Sequence, residues 1–243
     1  MKRTCARLLL LCVLAAAGSA WGVSQKEHKE LLKNADYRQT WGEYQALAER
    51  AKKAMTSEDF LRYQDRENKW YSSEEPNREA KESMAEGMSK LEAFAGVLAA
   101  RMDETERLLD RAEVIRQSDG VSGLYRRNAG TLEGTLLVRP PEDGEYAVEL
   151  LLLQNGEPAG YFEGSAKLKG KTLAATGDLL VEEYDPEKDS AAVTLTFDSA
   201  GATAVTTEKF KRDSHWKKWL DEGVVFDGAY TRQKSVFMDA ASD

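Results

Sequence analysis

Cysteine is almost absent from this 243-residue chain, and its two copies, Cys5 and Cys12, both lie in the first dozen residues. Beyond them nothing is left for a disulfide, a thiolate nucleophile or a Cys-ligated zinc site. Histidine is as scarce: His28 and His215 alone give a histidine metal site or histidine-based catalysis little to work with. Five prolines are too few for a proline-rich linker, and 42% hydrophobic residues are enough for an ordered core. Positive charge is also in deficit. Lys plus Arg number 34 against 42 Asp plus Glu, a net −8, opposite in sign to the field that general nucleic-acid binding needs. The length suits one large domain or two small ones.

The only long apolar run, Leu8 to Ala17, is too short to span a bilayer. Lys2, Arg3 and Arg7 precede it, and Gly18, Ser19, Ala20 and Gly22 follow it. This is the grammar of a cleaved signal peptide over residues 1–22, with the cut after Ala20 or after Gly22. A lipoprotein would need a small residue before the modified cysteine, and Cys12 follows Leu10-Leu11. The expectation is a periplasmic or secreted protein without lipid, beginning at Trp21 or Val23. No membrane span remains after cleavage. Loss of the three cations takes the net charge from −8 to −11.

From Ser24 to about Ser118 the composition is helical, rich in Ala, Glu, Lys and Met. Tyr37, Trp41, Tyr44, Ala48, Ala51 and Met55 step by four and three along one helix face. Thr56-Ser57-Glu58-Asp59 reads as an N-cap with early acidic residues, opening a helix that runs to about Tyr71. Glu74-Glu75-Pro76-Asn77 breaks it. A further seam through Met84, Met88, Leu91, Leu98, Met102 and Leu109 predicts one long helix over 78–117, about 60 Å at 1.5 Å per residue. Short breaks favour an antiparallel hairpin or three-helix bundle in one chain over a helix-mediated dimer.

At Ser118-Asp119-Gly120 the grammar changes to short strands. They include Leu132 to Val138, Tyr146 to Leu153, a strand opening at Tyr161, Thr172 to Ala175, Val193 to Phe197 and Ala202 to Thr206. Asn155-Gly156, Lys169-Gly170-Lys171 and Ala200-Gly201 supply turns. Gly123-Leu124-Tyr125 and Gly228-Ala229-Tyr230 resemble each other. They read as first and last strands that pair and remove the sheet's free edges. The fold class is α+β: a helical bundle or hairpin over 24–118, a small antiparallel barrel or sandwich over 119–234, and a loose tail over 235–243.

Chemical motifs are few. His28 sits in a charged helix start. Asp213-Ser214-His215 are adjacent in sequence, whereas a triad converges from separated positions. Asp185-Pro186-Glu187-Lys188-Asp189 has carboxylates at alternate positions, but a calcium loop would want Gly and Glu where Ser190 and Thr196 stand. Glu182 and Glu183 face opposite sides of a strand. No catalytic, cofactor or metal residues are assigned. One partner-binding patch stands out: Lys211, Arg212, Lys217 and Lys218 beside Trp216 and Trp219.

The stretch through Ala35-Asp36, Trp41, Tyr44-Gln45-Ala46-Leu47, Phe60-Leu61-Arg62-Tyr63-Gln64 and Trp70 resembles the lysozyme-inhibitor LprI-like N-terminal domain family over about residues 28–80. The family's tryptophan position is Glu67 here, with Trp70 one turn later, and the paired cysteines that usually tie its helices are missing. The β half is similar to the small tail domains that accompany such helices. Those begin and end in a Gly-x-Tyr strand and often carry Cys-Gly where this chain has Glu222-Gly223. The resemblance implies a periplasmic inhibitor of lysozyme-type muramidases. The expected function is therefore non-catalytic binding of a basic protein such as a lysozyme, a partner that the acidic charge suits. A carrier of small apolar ligands in the barrel and an envelope assembly module using the long helix stay open beside it.

Overall fold

The computed structural model describes residues 29–73, 75–179, 190–206 and 225–237. Helices come first and a closed barrel follows, an α+β chain. The helices are α1 (Ala35–Ala54), α2 (Ser57–Ser72), α3 (Glu75–Ala85) and α4 (Lys90–Arg116). The strands are β1 (Gly123–Ala129), β2 (Leu132–Val138), β3 (Glu145–Gln154), β4 (Glu157–Lys169), β5 (Thr172–Leu179), β6 (Ser190–Phe197), β7 (Gly201–Thr206) and β8 (Gly228–Arg232). Among the described residues no helix is long and apolar enough to cross a bilayer. The chain divides into two compact units after Leu109, inside α4.

In the helical unit the caps set the boundaries. Asn34 accepts from the amides of Asp36 and Tyr37, and Thr56 accepts from Asp59 N, as its sequence position implies. Tyr37, Tyr44, Trp70, Phe94 and Leu98 form the centre of the core, with Trp41 packed at its side. The expected single helix over 78–117 is two helices. Gly87 takes φ +100, a left-handed conformation that ends α3, and Ser89 starts α4 afresh. Ser89 Oγ accepts from Glu92 N while Glu92 accepts from Ser89 N at 2.9 Å, a capping box whose Ser-x-x-Glu spacing stands in the sequence. Met88 is consequently 50% exposed, not part of a seam. Pro76 also differs from expectation. It lies buried in the first turn of α3, where a missing N–H costs nothing, so the break falls before it.

The other unit is an up-and-down barrel, not a sandwich. Each strand pairs antiparallel with the next, and β8 closes on β1 through Tyr125↔Arg232 and Arg126↔Thr231. Positive φ at both Asn155 (54°) and Gly156 (85°) matches the twist of the β3–β4 hairpin. Alternation then sends Leu136, Val148, Leu150, Phe162, Leu173 and Leu195 inward, each fully buried. Two aromatic contacts fill the space between them: Tyr125 with Phe197 (centroids 5.8 Å apart) and Phe162 with Phe226 (6.3 Å). Outside, Leu124 and Leu137 are covered by Val114 and Ile115 from the last turns of α4.

Strands approach closely at Gly201, where an added Cβ would overlap the carbonyl oxygen of Tyr230. Gly201→Ala should therefore destabilise the barrel by about 3 kcal/mol or more. Urea unfolding followed by circular dichroism checks this; an unchanged midpoint would mean that β7 and β8 are less closely apposed.

Candidate functional site

The residues singled out for partner binding, Lys211, Arg212, Trp216, Lys217, Lys218 and Trp219, lie outside the described residues. So do His28, His215, Glu182, Glu183, the Asp185–Asp189 run and residues 1–22, read above as a signal segment. The described residues bring together three polar groupings that the sequence reading did not single out.

The first is inside the helical unit. Arg101 on α4 donates to Glu67 on α2 at 2.7 Å and also pairs with Glu104, while Glu104 takes Arg66 as well. The side chains of Arg101 and Glu67 are only 11% and 12% exposed. Tyr44 donates its hydroxyl to the other oxygen of Glu67, and the guanidinium lies 5.1 Å from the Trp70 ring centroid. Burial opposes the arginine's charge, but Glu67 and Glu104 outweigh it and hold its pKa above the ordinary value. The charges are paired with one another, Arg101 and Glu67 nearly enclosed while Glu104 and Arg66 reach solvent, an arrangement suited to tying the helices together. An arginine three residues after Leu98, on the face carrying Leu98 and Thr105, was the signal available in the sequence.

The second closes one end of the barrel. Asp119 accepts from Val121 N (2.9 Å), Ser122 N (2.7 Å) and the Tyr146 hydroxyl (2.8 Å). Burial works against its charge, yet the Ser122 and Val121 amides and the Tyr146 hydroxyl prevail and hold its carboxyl below the ordinary range. Arg232 lies 4.9 Å over the Tyr125 ring and donates to Gly120 O, Ser122 O and the Tyr125 hydroxyl.

The third is the outer wall of β2, β3 and β4, where Thr135, Glu149, Leu151 and Tyr161 are partly exposed and Glu163 is exposed. Leu151 stands directly opposite Tyr161, with Thr135 on its other side. One step along, Glu149 stands directly opposite Glu163. Like charges across a strand pair repel, so this arrangement costs stability unless a cation intervenes. Arg139 intervenes on one side only, donating to Glu149 at 2.7 and 2.9 Å and to Asp110. The Asp110 hydrogen bond above all keeps the arginine charged against its partial burial. Glu163 keeps an exposed carboxylate with the Tyr161 hydroxyl 3.5 Å away. Burial first, then Glu149 and Glu163, pushes the Tyr161 hydroxyl up to about 12, so it stays a donor at neutral pH. Tyr161 and Leu151 thus flank Glu163, the carboxylate of the pair that Arg139 does not reach, in an arrangement whose chemistry suits a cationic surface.

No other described feature competes. The barrel interior is occupied by its own rings, the depression along α3 between Glu75 and Ala85 is lined by one helix only, and no group of three or more His, Cys, Asp or Glu could hold a metal among the described residues. Compared with known proteins, the chain matches no family model, no curated protein and no solved structure.

Two outcomes follow for the buried groups. Arg101→Met leaves Glu67 as an unpaired buried charge and should cost about 3–5 kcal/mol, most of it recovered in the Arg101→Met/Glu67→Leu double variant. Thermal unfolding of the four-member cycle measures it; an unchanged midpoint in the single variant would refute the pairing. For Asp119, a lowered folded pKa means its contribution is present above the unfolded value of about 3.9 and lost as pH falls through the folded one. Asp119→Asn should flatten that acid limb of the stability curve while leaving its shape near neutrality unchanged.

Proposed function

We propose that the mature chain, freed of its signal segment, is a non-catalytic periplasmic or secreted protein that captures a basic protein partner, and that lysozyme-type muramidases are the leading partner class. The observation that carries this reading is the Glu149–Glu163 pair beside Leu151 and Tyr161 on the outer β2–β4 wall of a net-acidic chain. Glu163, which Arg139 does not reach, keeps its carboxylate beside that of Glu149, and a cation arriving from outside would offset the remaining repulsion. Leu151 and Tyr161 supply the desolvated contact that a charge pair alone lacks. The helical stretch resembling the LprI-like family supports the same partner class independently of the barrel. Encounter would be steered by opposite net charges and would weaken with salt, since the screening length falls to about 8 Å at physiological ionic strength.

The test is muramidase activity in the presence of purified mature protein starting at Trp21 or Val23. Inhibition should appear with a lysozyme and decline as salt rises. Tyr161→Ala and Glu163→Gln, neither of which removes a buried group, should each weaken it, Tyr161→Ala by about tenfold or more. Full lysozyme activity at a large molar excess of folded protein would refute the proposal.

A further inference from the structure

Arg139 follows β2 directly, and its backbone N–H donates to Ala147 O at 2.9 Å, so the β2–β3 ladder runs one step past Val138. Val138 is buried inside the barrel, and alternation therefore sends the Arg139 side chain to the outer face, diagonal to Glu149. There its Nε and Nη2 donate to one and the same oxygen of Glu149, Oε1, at 2.9 and 2.7 Å, and its Nη1 donates to Asp110. Oε2 of Glu149 lies outside the contact. Asp110 belongs to the barrel's own compact unit, in the last turns of α4, where Val114 and Ile115 cover Leu137, the residue directly opposite Glu149. One guanidinium is thus shared between two carboxylates. On the far side of Glu149 the row continues through Glu163 to its register partner Asp178 on β5, so Arg139 stands at one end of a line of three acidic residues.

We propose that Arg139 is a built-in competitor for the cation that docks on this wall: it holds Glu149 while the wall is free and moves over to Asp110 when a partner's arginine or lysine arrives. The inference rests on the reading of the wall as a cation-binding surface and names what regulates it. A guanidinium meets a carboxylate best through two parallel hydrogen bonds to its two oxygens, whereas Arg139 places two donors on one oxygen. An incoming cation with access to Oε2 of Glu149 and to Glu163 can displace such a contact. Exposure permits the exchange. The side chains of Arg139, Glu149 and Asp110 are 33%, 27% and 41% exposed, so water reaches all three and no buried charge is stranded while the bond changes hands. Asp110 is already a partner, so Arg139 gives up one acceptor and keeps the other. The consequence is selectivity. A surface with scattered positive charge does not displace Arg139, whereas one that sets a cation against Glu149 and Glu163 together does. The affinity of the wall is thereby tied to the last turns of α4, since Asp110 is what draws Arg139 away.

Calorimetric titration of the full mature chain with a lysozyme and, separately, with a hexa-arginine peptide tests it. Arg139→Met keeps the apolar stem and removes the competitor, so both probes should bind about tenfold more tightly. Asp110→Asn leaves Arg139 to Glu149 alone and should weaken both by about threefold or more. Lys167→Gln and Glu113→Gln make the same two charge changes elsewhere on β4 and α4, and should alter binding by less than about twofold. Thermal unfolding confirms that each variant is folded, and the conservative Asp110→Asn carries the test if Arg139→Met is not. Tighter peptide binding by Arg139→Met, with no lysozyme bound by any chain, supports the competitor and refutes the lysozyme reading. Lysozyme bound equally by wild type and Arg139→Met, an equal gain from Lys167→Gln, or indifference to Asp110→Asn overturns the competitor and leaves that reading standing. Weaker binding by Arg139→Met overturns it too, and makes Arg139 a residue that positions Glu149. No binding of either probe by any chain overturns both.

Discussion

Closure of the barrel rests on a reciprocal contact between its first and last strands. Gly123-Leu124-Tyr125-Arg126-Arg127 and Gly228-Ala229-Tyr230-Thr231-Arg232 share the pattern Gly-x-Tyr-x-Arg and run antiparallel. Each arginine therefore lies against the other strand's glycine: Arg232 over Gly123, Arg127 over Gly228. Each tyrosine donates its hydroxyl to the carbonyl four residues before it, Tyr125 to Val121 and Tyr230 to Phe226. Arg127 adds a hydrogen bond to Val225 O at 2.7 Å, as Arg232 does to the Ser122 carbonyl. The β1–β8 seam has two backbone register pairs where β1–β2 has seven, so side chains carry what the ladder does not. A Cβ at either glycine would crowd the arginine that crosses it, and Gly228 also takes φ +143, a conformation that L side chains rarely adopt.

Once the seam is closed, every strand has a buried face and an outer one, and the outer face is where this chain distributes its charge. The interior has no titratable role to fill, being rings and aliphatic chains. Exposed carboxylates collect on the β2–β4 side, with the Glu142–Glu145 bridge at the hairpin adding to them. Arg139, shared between Glu149 and Asp110, neutralises part of that field and leaves the rest outward. Threonine, alanine and Val205 take the exposed outward positions of β5 to β8 among the described side chains. The two walls thus differ in charge, and the acidic one favours cations.

Much of this was legible because strands announce themselves locally. Leu132 to Val138 is bounded as its alternation implies, and Asn155-Gly156 fixes the hairpin between β3 and β4. The match of Gly-x-Tyr segments located the seam, although the arginine two residues on completes the pattern and was the chemically active part. The helical half was less legible because a four-three alternation continues across a break: Met84, Met88 and Leu91 fit one helix on paper. The glycine and the Ser-x-x-Glu box between them override the pattern, since a capped restart satisfies the free amides that a continuous seam ignores. The candidate binding wall was invisible for another reason. Glu149 and Glu163 are fourteen positions apart in sequence, and only the register of β3 against β4 makes them neighbours.

The Arg101 grouping shows what an Ala- and Met-rich helical core needs beyond apolar contact. Ala80, Ala93 and Met102 have little shape to distinguish one register from another, and a one-turn slip of α4 along α2 would still bury small residues. Glu67 removes that freedom. Its two oxygens are taken by Arg101 from α4 and Tyr44 from α1, so the three helices meet at one carboxylate. A slip of one turn would move Arg101 about 5.4 Å along the axis and strand both charges in a nearly dry site. Trp70, one turn after Glu67, covers the guanidinium. Here a fixed charge pair, shielded by that ring, specifies helix register in a unit whose sequence after Cys12 offers no disulfide to do so.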